Sequence, residues 1–280
     1  MILIADSGST KTDWIILDKK KRYRIETRGI NPYFNTREMM AEVISSSDLA
    51  SYFDSLREIH FYGAGLVTEE VKTQMQQLFK EIFSGAQEVH VYDDLLATAR
   101  ALFQNDAGIA CILGTGSNSC FYNGQEVGDK VPALGYLLGD EGSGAYMGKT
   151  FLNAIFKRSL PPALTKEITQ KHGISAAEVL ENVYKKPLPN RYLASYTKII
   201  NEYIAHPEIE EIVANAFNDF IEKNISRYQD AKKYPIGFTG SVAFHFKEIL
   251  ETQMKKRNLS LHKIIKAPVD QLALFHSYSG

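Results

Sequence analysis

The chain has 280 residues, with 32 basic and 33 acidic side chains that give a formal net charge of −1. This balance excludes the strong positive field by which proteins bind nucleic acids or anionic membrane surfaces, so small molecules are the expected partners. No apolar run approaches the roughly 18 to 20 residues of a membrane-spanning helix, and the first residues lack signal-peptide features, so a cytoplasmic protein is expected. The length favours two domains, each with its own core.

The first half of the chain predicts a β meander followed by alternating helices and strands. Three strands, at residues 1–5, 12–18 and 22–28, are separated by polar turns short enough for antiparallel pairing. The apolar spacing within residues 68–83 predicts an amphipathic helix that lies against a sheet. The other predicted elements are helices at residues 36–46 and 95–103 and strands at 58–62 and 88–92.

The second half starts in the same way and then departs from the pattern. Strands are predicted at residues 109–113, 119–122, 127–131, 235–238 and 261–267, with a long helical region at 143–232. The predicted domains are residues 1–106, joined by a C-terminal helix at about 268–280 that folds back onto them, and residues 107–267 with the helical insertion.

Cysteine and histidine usage predicts neither a disulfide framework nor a metal motif. Cys111 and Cys120 lie in apolar or β-like surroundings, which suits two reduced, packed thiols. The seven histidines form no HExxH pattern and do not pair with cysteine at zinc spacing.

Two small, hydroxyl-rich loops each follow an apolar β-type run. Residues 6–13 read Asp-Ser-Gly-Ser-Thr-Lys-Thr-Asp, and residues 114–119 read Gly-Thr-Gly-Ser-Asn-Ser. Glycine lets the backbone approach an anion, and Ser and Thr add donors, so both loops are interpreted as phosphate loops. Together they predict a duplicated fold that holds one polyphosphate between its halves. Neither a GxGxxG dinucleotide fingerprint nor a GxxxxGK[ST] loop is present.

Three acids follow predicted strands of the first half. Asp6 could hold a hydrated Mg²⁺ beside the phosphates, or it could simply form a turn. Asp93 and Asp94 could orient a substrate hydroxyl and accept its proton, or they could cap the helix expected from Leu95, for which Asp94 is well placed. Lys11 could bring a positive charge to the phosphates or remain solvated.

Two further segments precede helices of the second half. Residues 139–144, Gly-Asp-Glu-Gly-Ser-Gly, place two acids between glycines, so amides and carboxylates should converge at a helix N-terminus. Asp140 is interpreted there as an acceptor for a ligand hydroxyl, and the role of Glu141 stays open. Residues 237–242, Gly-Phe-Thr-Gly-Ser-Val, suit the base, ribose or diphosphate of a nucleotide, with a plain strand-to-helix turn as the alternative.

With these motifs the chain resembles the actin-like ATPase superfamily of sugar kinases, actin and heat-shock ATPases. Within it, the chain is similar to the BadF/BadG/BcrA/BcrD ATPase family and its N-acetylglucosamine kinase-like branch. The resemblance covers nearly the full length and depends most on Gly-Thr-Gly-Ser-Asn at 114–118 together with Gly-Asp-Glu-Gly-Ser-Gly at 139–144. It implies an α/β fold of two ribonuclease H-like domains with a central interdomain cleft.

The resemblance also implies roles for individual residues. Asp94 would be the proton-accepting, catalytic acid, and it would contact the substrate. The other implied substrate contacts are Asn31, Asn118, Gly135 and Asp140. The implied ATP contacts are Gly8, Ser9, Thr10, Lys11, Thr115, Gly116, Gly240 and Ser241. Residues 132–135 read Pro-Ala-Leu-Gly where related sugar kinases tend to carry a Gly-Gly-Trp-Gly-like stretch in the sugar-pocket wall, and Gln271 stands where relatives commonly have glycine.

The expected activity is therefore an ATP- and Mg²⁺-dependent kinase of amino sugar metabolism that phosphorylates an N-acetylated or amino hexose similar to N-acetylglucosamine. One alternative is a non-sugar ATPase of the 2-hydroxyacyl-CoA dehydratase activator type, which holds an iron–sulfur cluster with cysteines at a dimer interface. Cys111 lies in a predicted core strand, which disfavours it. Another alternative is a catalytically silent sugar or nucleotide sensor. A homodimer is left open.

Overall fold

The computed structural model describes residues 1–8, 10–19, 21–66 and 68–277. Residue contacts divide the chain into two compact units. Unit 1 comprises Met1–Asp106, Tyr122–Val127 and Ala267–Gly280, and unit 2 comprises Ala107–Phe121 and Gly128–Lys266. Each unit contains one five-stranded sheet with flanking helices. The predicted domain limits, as limits of independently folding domains, stay a prediction.

Unit 1 begins with the antiparallel meander that the short polar turns predicted. Its elements are β1 (Ile2–Ser7), β2 (Lys11–Asp18), β3 (Lys21–Arg28), α1 (Arg37–Ser45), β4 (Glu58–Gly63), α2 (Glu69–Ile82), β5 (Glu88–Asp93) and α3 (Asp94–Phe103). Strands β4 and β5 run parallel to β1, and the sheet order is β3-β2-β1-β4-β5.

Unit 2 follows the same strand plan with a large helical insertion. Its elements are β6 (Gly108–Leu113), β7 (Ser117–Tyr122), β8 (Val127–Asp129), α4 (Gly135–Leu138), α5 (Gly144–Phe156), α6 (Pro162–His172), α7 (Ala176–Tyr184), α8 (Pro189–Ser195), α9 (Thr197–Glu202), α10 (Pro207–Lys223), β9 (Ile236–Thr239), α11 (Ser241–His245), α12 (Lys247–Lys256) and β10 (Leu261–Ile265). Its sheet order, β10-β9-β6-β7-β8, is the order of unit 1 read from the other edge. Strand β6 therefore occupies the position of β1, and the two glycine loops follow equivalent strands.

Several predicted bounds in unit 2 were wrong. Strand β7 begins at Ser117 rather than at residue 119, β8 has three residues instead of five, and β10 ends at Ile265. The sequence also gave no indication of α4, a single turn that begins at Gly135. Glycine and short polar segments carry little periodicity, so strand and helix ends are the least certain part of a pattern-based prediction.

Helix ends in both units follow the local sequence. Thr36, Thr68 and Ser175 each stand before a helix, and each side chain accepts a hydrogen bond from a backbone amide of the first turn. Helix α2 adds two acids in its first turn, where the helix dipole favours negative charge. It buries Met75, Leu78 and Phe79 against the core of unit 1, which confirms the predicted amphipathic helix.

The last helix, α13 (Val269–Ser277), belongs to unit 1 and packs against α3, β1 and β2. Its His276 donates to or accepts from the Tyr62 hydroxyl at 2.9 Å, and its Asp270 pairs with Arg24 at 3.3 Å. Within the described ranges, no helix has both the length and the apolarity that a membrane crossing requires.

Candidate functional site

Acidic side chains meet near the carboxyl end of β1 in unit 1. Asp6 lies opposite Asp13 in the β1–β2 register, and Asp13 is held by Lys11 at 2.8 Å and Arg24 at 2.9 Å. Burial on its own would raise the pKa of Asp13, but these two hydrogen bonds outweigh it and lower that pKa. The pKa of Asp6 is raised to about 7, first by burial and then by the neighbouring Asp13 and Asp94 carboxylates, while Lys11 opposes the shift. The structure thus brings the predicted metal residue and the predicted catalytic acid into one electrostatic group.

This group has the chemistry of a cation site. Mg²⁺ prefers oxygen ligands, keeps several waters, and is usually bound by one or two carboxylates. A carboxyl group whose pKa is raised by two neighbouring carboxylates loses that repulsion when a cation lies beside it. The residues around Asp6 therefore fit the predicted magnesium ion.

The two acids at the carboxyl end of β5 have different surroundings. Asp93 caps α3, since its Oδ1 accepts a hydrogen bond from the Leu96 amide at 2.8 Å. The prediction that Asp94 is the well-placed cap was therefore wrong, because the helix starts one residue earlier than predicted. Asp94 is the first helical residue and interacts electrostatically with Asp6. Capping thus accounts for Asp93 alone.

Two hydroxyls of the first loop are used inside the fold. Ser7 Oγ lies 2.6 Å from Thr12 Oγ1 and donates to the Ile30 carbonyl at 2.8 Å. The Ile30 amide donates back to Ser7 Oγ at 3.0 Å. Both side chains are buried, so they fasten the segment after β3 to the loop. These hydroxyls therefore make hydrogen bonds within the fold rather than with a ligand.

The predicted ATP contacts of the first loop lie at its exposed turn. The Gly8 amide donates to the Lys11 carbonyl at 3.0 Å and closes the turn, and both Gly8 and Thr10 are exposed. Besides its pair with Asp13, the Lys11 ammonium pairs with Glu26 at 3.1 Å, so carboxylates already balance its charge. Ser9, which was also predicted to contact ATP, lies outside the described residues.

Asn31 is fixed beside the loop that follows β4. Its Oδ1 accepts a hydrogen bond from the Tyr33 backbone amide at 2.9 Å, and the Asn31 backbone amide donates to Asn35 Oδ1 at 2.9 Å. A Cβ on Gly65, which has a φ of +83°, would come 2.2 Å from Asn31 Oδ1, so only glycine fits against it. Asn31 itself is 3% exposed, and its predicted sugar contact stays a prediction.

In unit 2 the structure places Asp140 against the second glycine loop. Its Oδ1 accepts a hydrogen bond from the Ser117 amide at 3.3 Å, and a Cβ on Gly116 would come 2.9 Å from its Oδ2. Burial raises the pKa of Asp140 to about 6, although the Ser117 hydrogen bond lowers it in part. The two sequence motifs of this unit therefore form one cluster. Ser117 was predicted only as a member of the hydroxyl-rich loop, and its bond to Asp140 was not predicted.

The amides at the start of α5 are also used inside the fold. The backbone amides of Gly144 and Ala145 donate to the carbonyls of Gly114 and Thr115 at 2.8 and 3.0 Å. The Ser143 side chain accepts a hydrogen bond from the Tyr146 amide. The amides expected to converge at this helix N-terminus are therefore not free to bind a ligand. They lock the helix onto the loop instead, which fixes the position of the loop backbone.

The third glycine segment lies beside the second loop because β9 is the neighbour of β6. Gly240 has a φ of +112°, and a Cβ there would come 2.2 Å from the Leu113 carbonyl oxygen. Ser241 follows as the exposed first residue of α11. Thr115 and Gly116 follow Leu113 by two and three residues, so the predicted ATP contacts of unit 2 occupy neighbouring strand ends.

The other predicted residues of unit 2 have local partners. Asn118 Oδ1 accepts a hydrogen bond from the amide of Ser119 at 3.0 Å. Gly135 is exposed, has a φ of +72°, and accepts the Gly139 amide at 2.8 Å. Glu141, whose role was left open, pairs with Lys223 at 3.5 Å. The structure ties Gly135 to the turn that carries Asp140, and the proposed ligand contacts of these residues stay predictions.

No protein-family model matches the chain, and no curated protein matches it. Among solved structures, a candidate N-acetylglucosamine kinase from Porphyromonas gingivalis is 39% identical, with a TM-score of 0.95 and 99% of each chain covered. A candidate N-acetylglucosamine kinase from Chromobacterium violaceum is 18% identical, with a TM-score of 0.70 and 98% of each chain covered. A candidate N-acetylmannosamine kinase from Listeria monocytogenes is 13% identical, with a TM-score of 0.51, 100% of this chain and 99% of that chain covered.

The last two similarities concern the fold, which is the two-domain α/β fold of actin-like ATPases. The first is high enough in identity and coverage to establish kinship. This chain belongs to the N-acetylglucosamine kinase-like family.

Proposed function

We propose that this protein is an ATP- and Mg²⁺-dependent sugar kinase that transfers the γ-phosphoryl group to a hydroxyl of an N-acetylated or amino hexose similar to N-acetylglucosamine. The observation that carries the proposal is the 39% identity, over 99% of both chains, to a candidate N-acetylglucosamine kinase. Assignment to the BadF/BadG/BcrA/BcrD branch is part of the same proposal.

In unit 1, Asp94 would accept the proton of the attacking sugar hydroxyl. Its place at the start of α3 supports this role, because Asp93 already satisfies the cap and Asp94 interacts with Asp6. Asp6 would hold Mg²⁺, which when bound would neutralise charge on the phosphate oxygens. Gly8 and Thr10 would lie against those phosphates from the exposed turn.

In unit 2, the loop that α5 locks in place would hold the nucleotide. Thr115, Gly116, Gly240 and Ser241 lie at the ends of the neighbouring strands β6 and β9, where open α/β sheets present ligand-binding residues. Asp140 would accept hydrogen bonds from sugar hydroxyls once it is ionised. The remaining proposed sugar contacts are Asn31, Asn118 and Gly135.

The iron–sulfur alternative gains no support from the cysteines. Cys111 and Cys120, the two cysteines of the chain, are fully buried in strands β6 and β7. Burial raises the pKa of the Cys111 thiol well above its usual value, which disfavours the thiolate that a cluster needs.

A coupled assay of ADP release over a panel of amino and N-acetylated hexoses tests the proposal. We expect wild-type protein to release ADP only when such a sugar is present, and Asp94→Ala to lower kcat/KM about 10²- to 10⁴-fold. Asp106→Ala, which removes an exposed acid of the same unit, serves as the control and should leave the rate unchanged. Sugar binding without ADP release would support a silent sensor and contradict the kinase.

A further inference from the structure

Strands β4 and β5 carry the same residue pattern in register. Residues 58–62 read Glu-Ile-His-Phe-Tyr and residues 88–92 read Glu-Val-His-Val-Tyr. The strands pair in parallel, with Glu58 opposite Glu88 and His60 opposite His90. Because alternate residues of a strand point to the same face, these four side chains occupy one face of the sheet. Two carboxylates and two imidazoles therefore lie together.

The side chains are close enough to share an ion. The His60 and His90 rings stack with centroids 5.0 Å apart and planes 10° apart. Glu58 Oε1 lies 2.6 Å from His60 Nε2, and Glu88 Oε2 lies 3.3 Å from His90 Nε2. One potential ligand atom from each of Glu58, His60 and His90 lies within 4.8 Å of those from the other two.

One polar atom in this cluster is left without a partner. The His60 side chain is 7% exposed, and its Nδ1 has no hydrogen-bond partner among the described residues. Helix α13 covers the ring, since the His276 ring lies with its centroid 3.6 Å away, while His276 itself bonds to the Tyr62 hydroxyl. A buried imidazole nitrogen without a partner is costly, and a metal ion bound at Nδ1 would relieve that cost.

We propose that Glu58, His60 and His90 bind a transition-metal dication of the zinc class, with Glu88 as a fourth donor. Mixed imidazole and carboxylate ligands suit Zn²⁺, whereas Mg²⁺ prefers oxygen alone. Metal–ligand bonds of about 2.0 to 2.2 Å require donor atoms about 3.3 Å apart, so donor atoms that are further apart must approach one another and closer ones must separate. Glu58 and His90 can move because their side chains are 37% and 39% exposed, while buried His60 stays in place.

The site is independent of the proposed kinase chemistry. Glu58 and Glu88 are the first residues of β4 and β5, whereas Asp93 and Asp94 lie at the opposite, carboxyl end of β5. The ion would tie two strands together beneath α13. Loss of the metal should therefore leave sugar-dependent ADP release unaffected, and failure of either proposal can be recognised without the other.

Isothermal titration of the full chain with ZnCl₂, in excess MgCl₂, tests the site. We expect one Zn²⁺ per wild-type chain, and we expect Glu58→Gln and His90→Ala each to weaken binding at least tenfold, by loss of one ligand. His245→Ala removes an exposed histidine of unit 2 and should bind Zn²⁺ as wild type does. Because a ligand that binds only the folded state stabilises it, Zn²⁺ should also raise the Tm of wild type and of His245→Ala more than that of His90→Ala.

Three outcomes would overturn the inference. The first is absence of Zn²⁺ binding to wild type at about a hundredfold excess over protein, measured by equilibrium dialysis. The second is wild-type affinity in both Glu58→Gln and His90→Ala. The third is an equal loss of affinity in His245→Ala, which would show adventitious binding to exposed histidines. Circular dichroism of each variant ensures that the comparison is made between folded proteins.

Discussion

Two adjacent carboxylates, Asp93 at the end of strand β5 and Asp94 at the start of α3, have different partners. Asp93 caps α3, and Asp94 interacts with Asp6. The sequence predicted that acids stand at this strand end, where ligands bind in open α/β sheets. It could not decide which acid caps the helix, because a cap and a first-turn residue differ by one position and both favour aspartate.

This difference predicts opposite effects for two neighbouring substitutions. Asp93→Ala should lower the free energy of unfolding by about 0.5 to 2 kcal/mol, because the α3 cap is lost, while much of the activity remains. Asp94→Asn should change stability little and reduce kcat. Urea denaturation and steady-state kinetics on both variants measure the two effects, and a reversal of the pattern would contradict the assignment.

Asp140 makes stability depend on pH in a defined direction. Its pKa in the folded chain is about 6, above the value of about 3.9 expected when unfolded, because burial disfavours the charged form. The folded state therefore holds more protons between these values, and stability falls as pH rises from about 4 to about 6. The cost at pH 7 is on the order of 1 kcal/mol once solvent screening is allowed for.

Asp140→Asn removes this titration and suits the site, since Asp140 has a φ of +52° and asparagine tolerates that region. The Tm of the variant minus the Tm of wild type should increase as the pH rises from 4 to 7. Thermal unfolding at matched ionic strength measures the difference. A difference that stays constant with pH would show that Asp140 does not titrate in this range.

Among the helices and strands, those that depend on local sequence pattern could be predicted, whereas contacts between distant helices could not. The β1–β3 meander and helix α2 were predictable, because turn length and apolar spacing are local properties. The close packing of α5 on α8 was not. A Cβ on Gly148 of α5 would come 1.9 Å from the Leu193 carbonyl oxygen, and this distance depends on a partner 45 residues further along the chain.

Gly148→Ala should therefore destabilise the protein by about 1 to 3 kcal/mol, because the α5 and α8 backbones must separate. Helix propensity alone predicts the opposite sign, a gain of about 1 kcal/mol. Gly128→Ala is the matched control, because its Cβ would meet its nearest neighbour, in Phe121, at an ordinary 3.4 Å. Urea denaturation of both variants measures the change in the free energy of unfolding. An increase for Gly148→Ala would refute the packing argument.

For the whole molecule, the two glycine loops correctly indicated a duplicated plan. Each unit has the same strand order, with a loop after its equivalent strand β1 or β6. The sequence could not predict how these loops are held, because Ser7, Thr12 and the α5 amides make internal hydrogen bonds that depend on distant residues. The sequence also could not predict that the two Glu-x-His segments form a cluster, since they do so only when β4 pairs with β5 in register. The central cleft of the expected fold stays a prediction.

The proposed function is phosphoryl transfer from ATP to an amino hexose, for which Asp94 of unit 1 and Asp140 of unit 2 are each expected to be needed. Phosphorus NMR of products formed from ATP and N-acetylglucosamine, or the best sugar of the panel, tests it most directly. We predict a sugar monophosphate with wild-type protein and a loss of at least a hundredfold in its rate of formation with Asp94→Asn of unit 1 or Asp140→Asn of unit 2. Inorganic phosphate as the only phosphorus product formed besides ADP, or wild-type rates in either variant, would show that the protein is not this kinase.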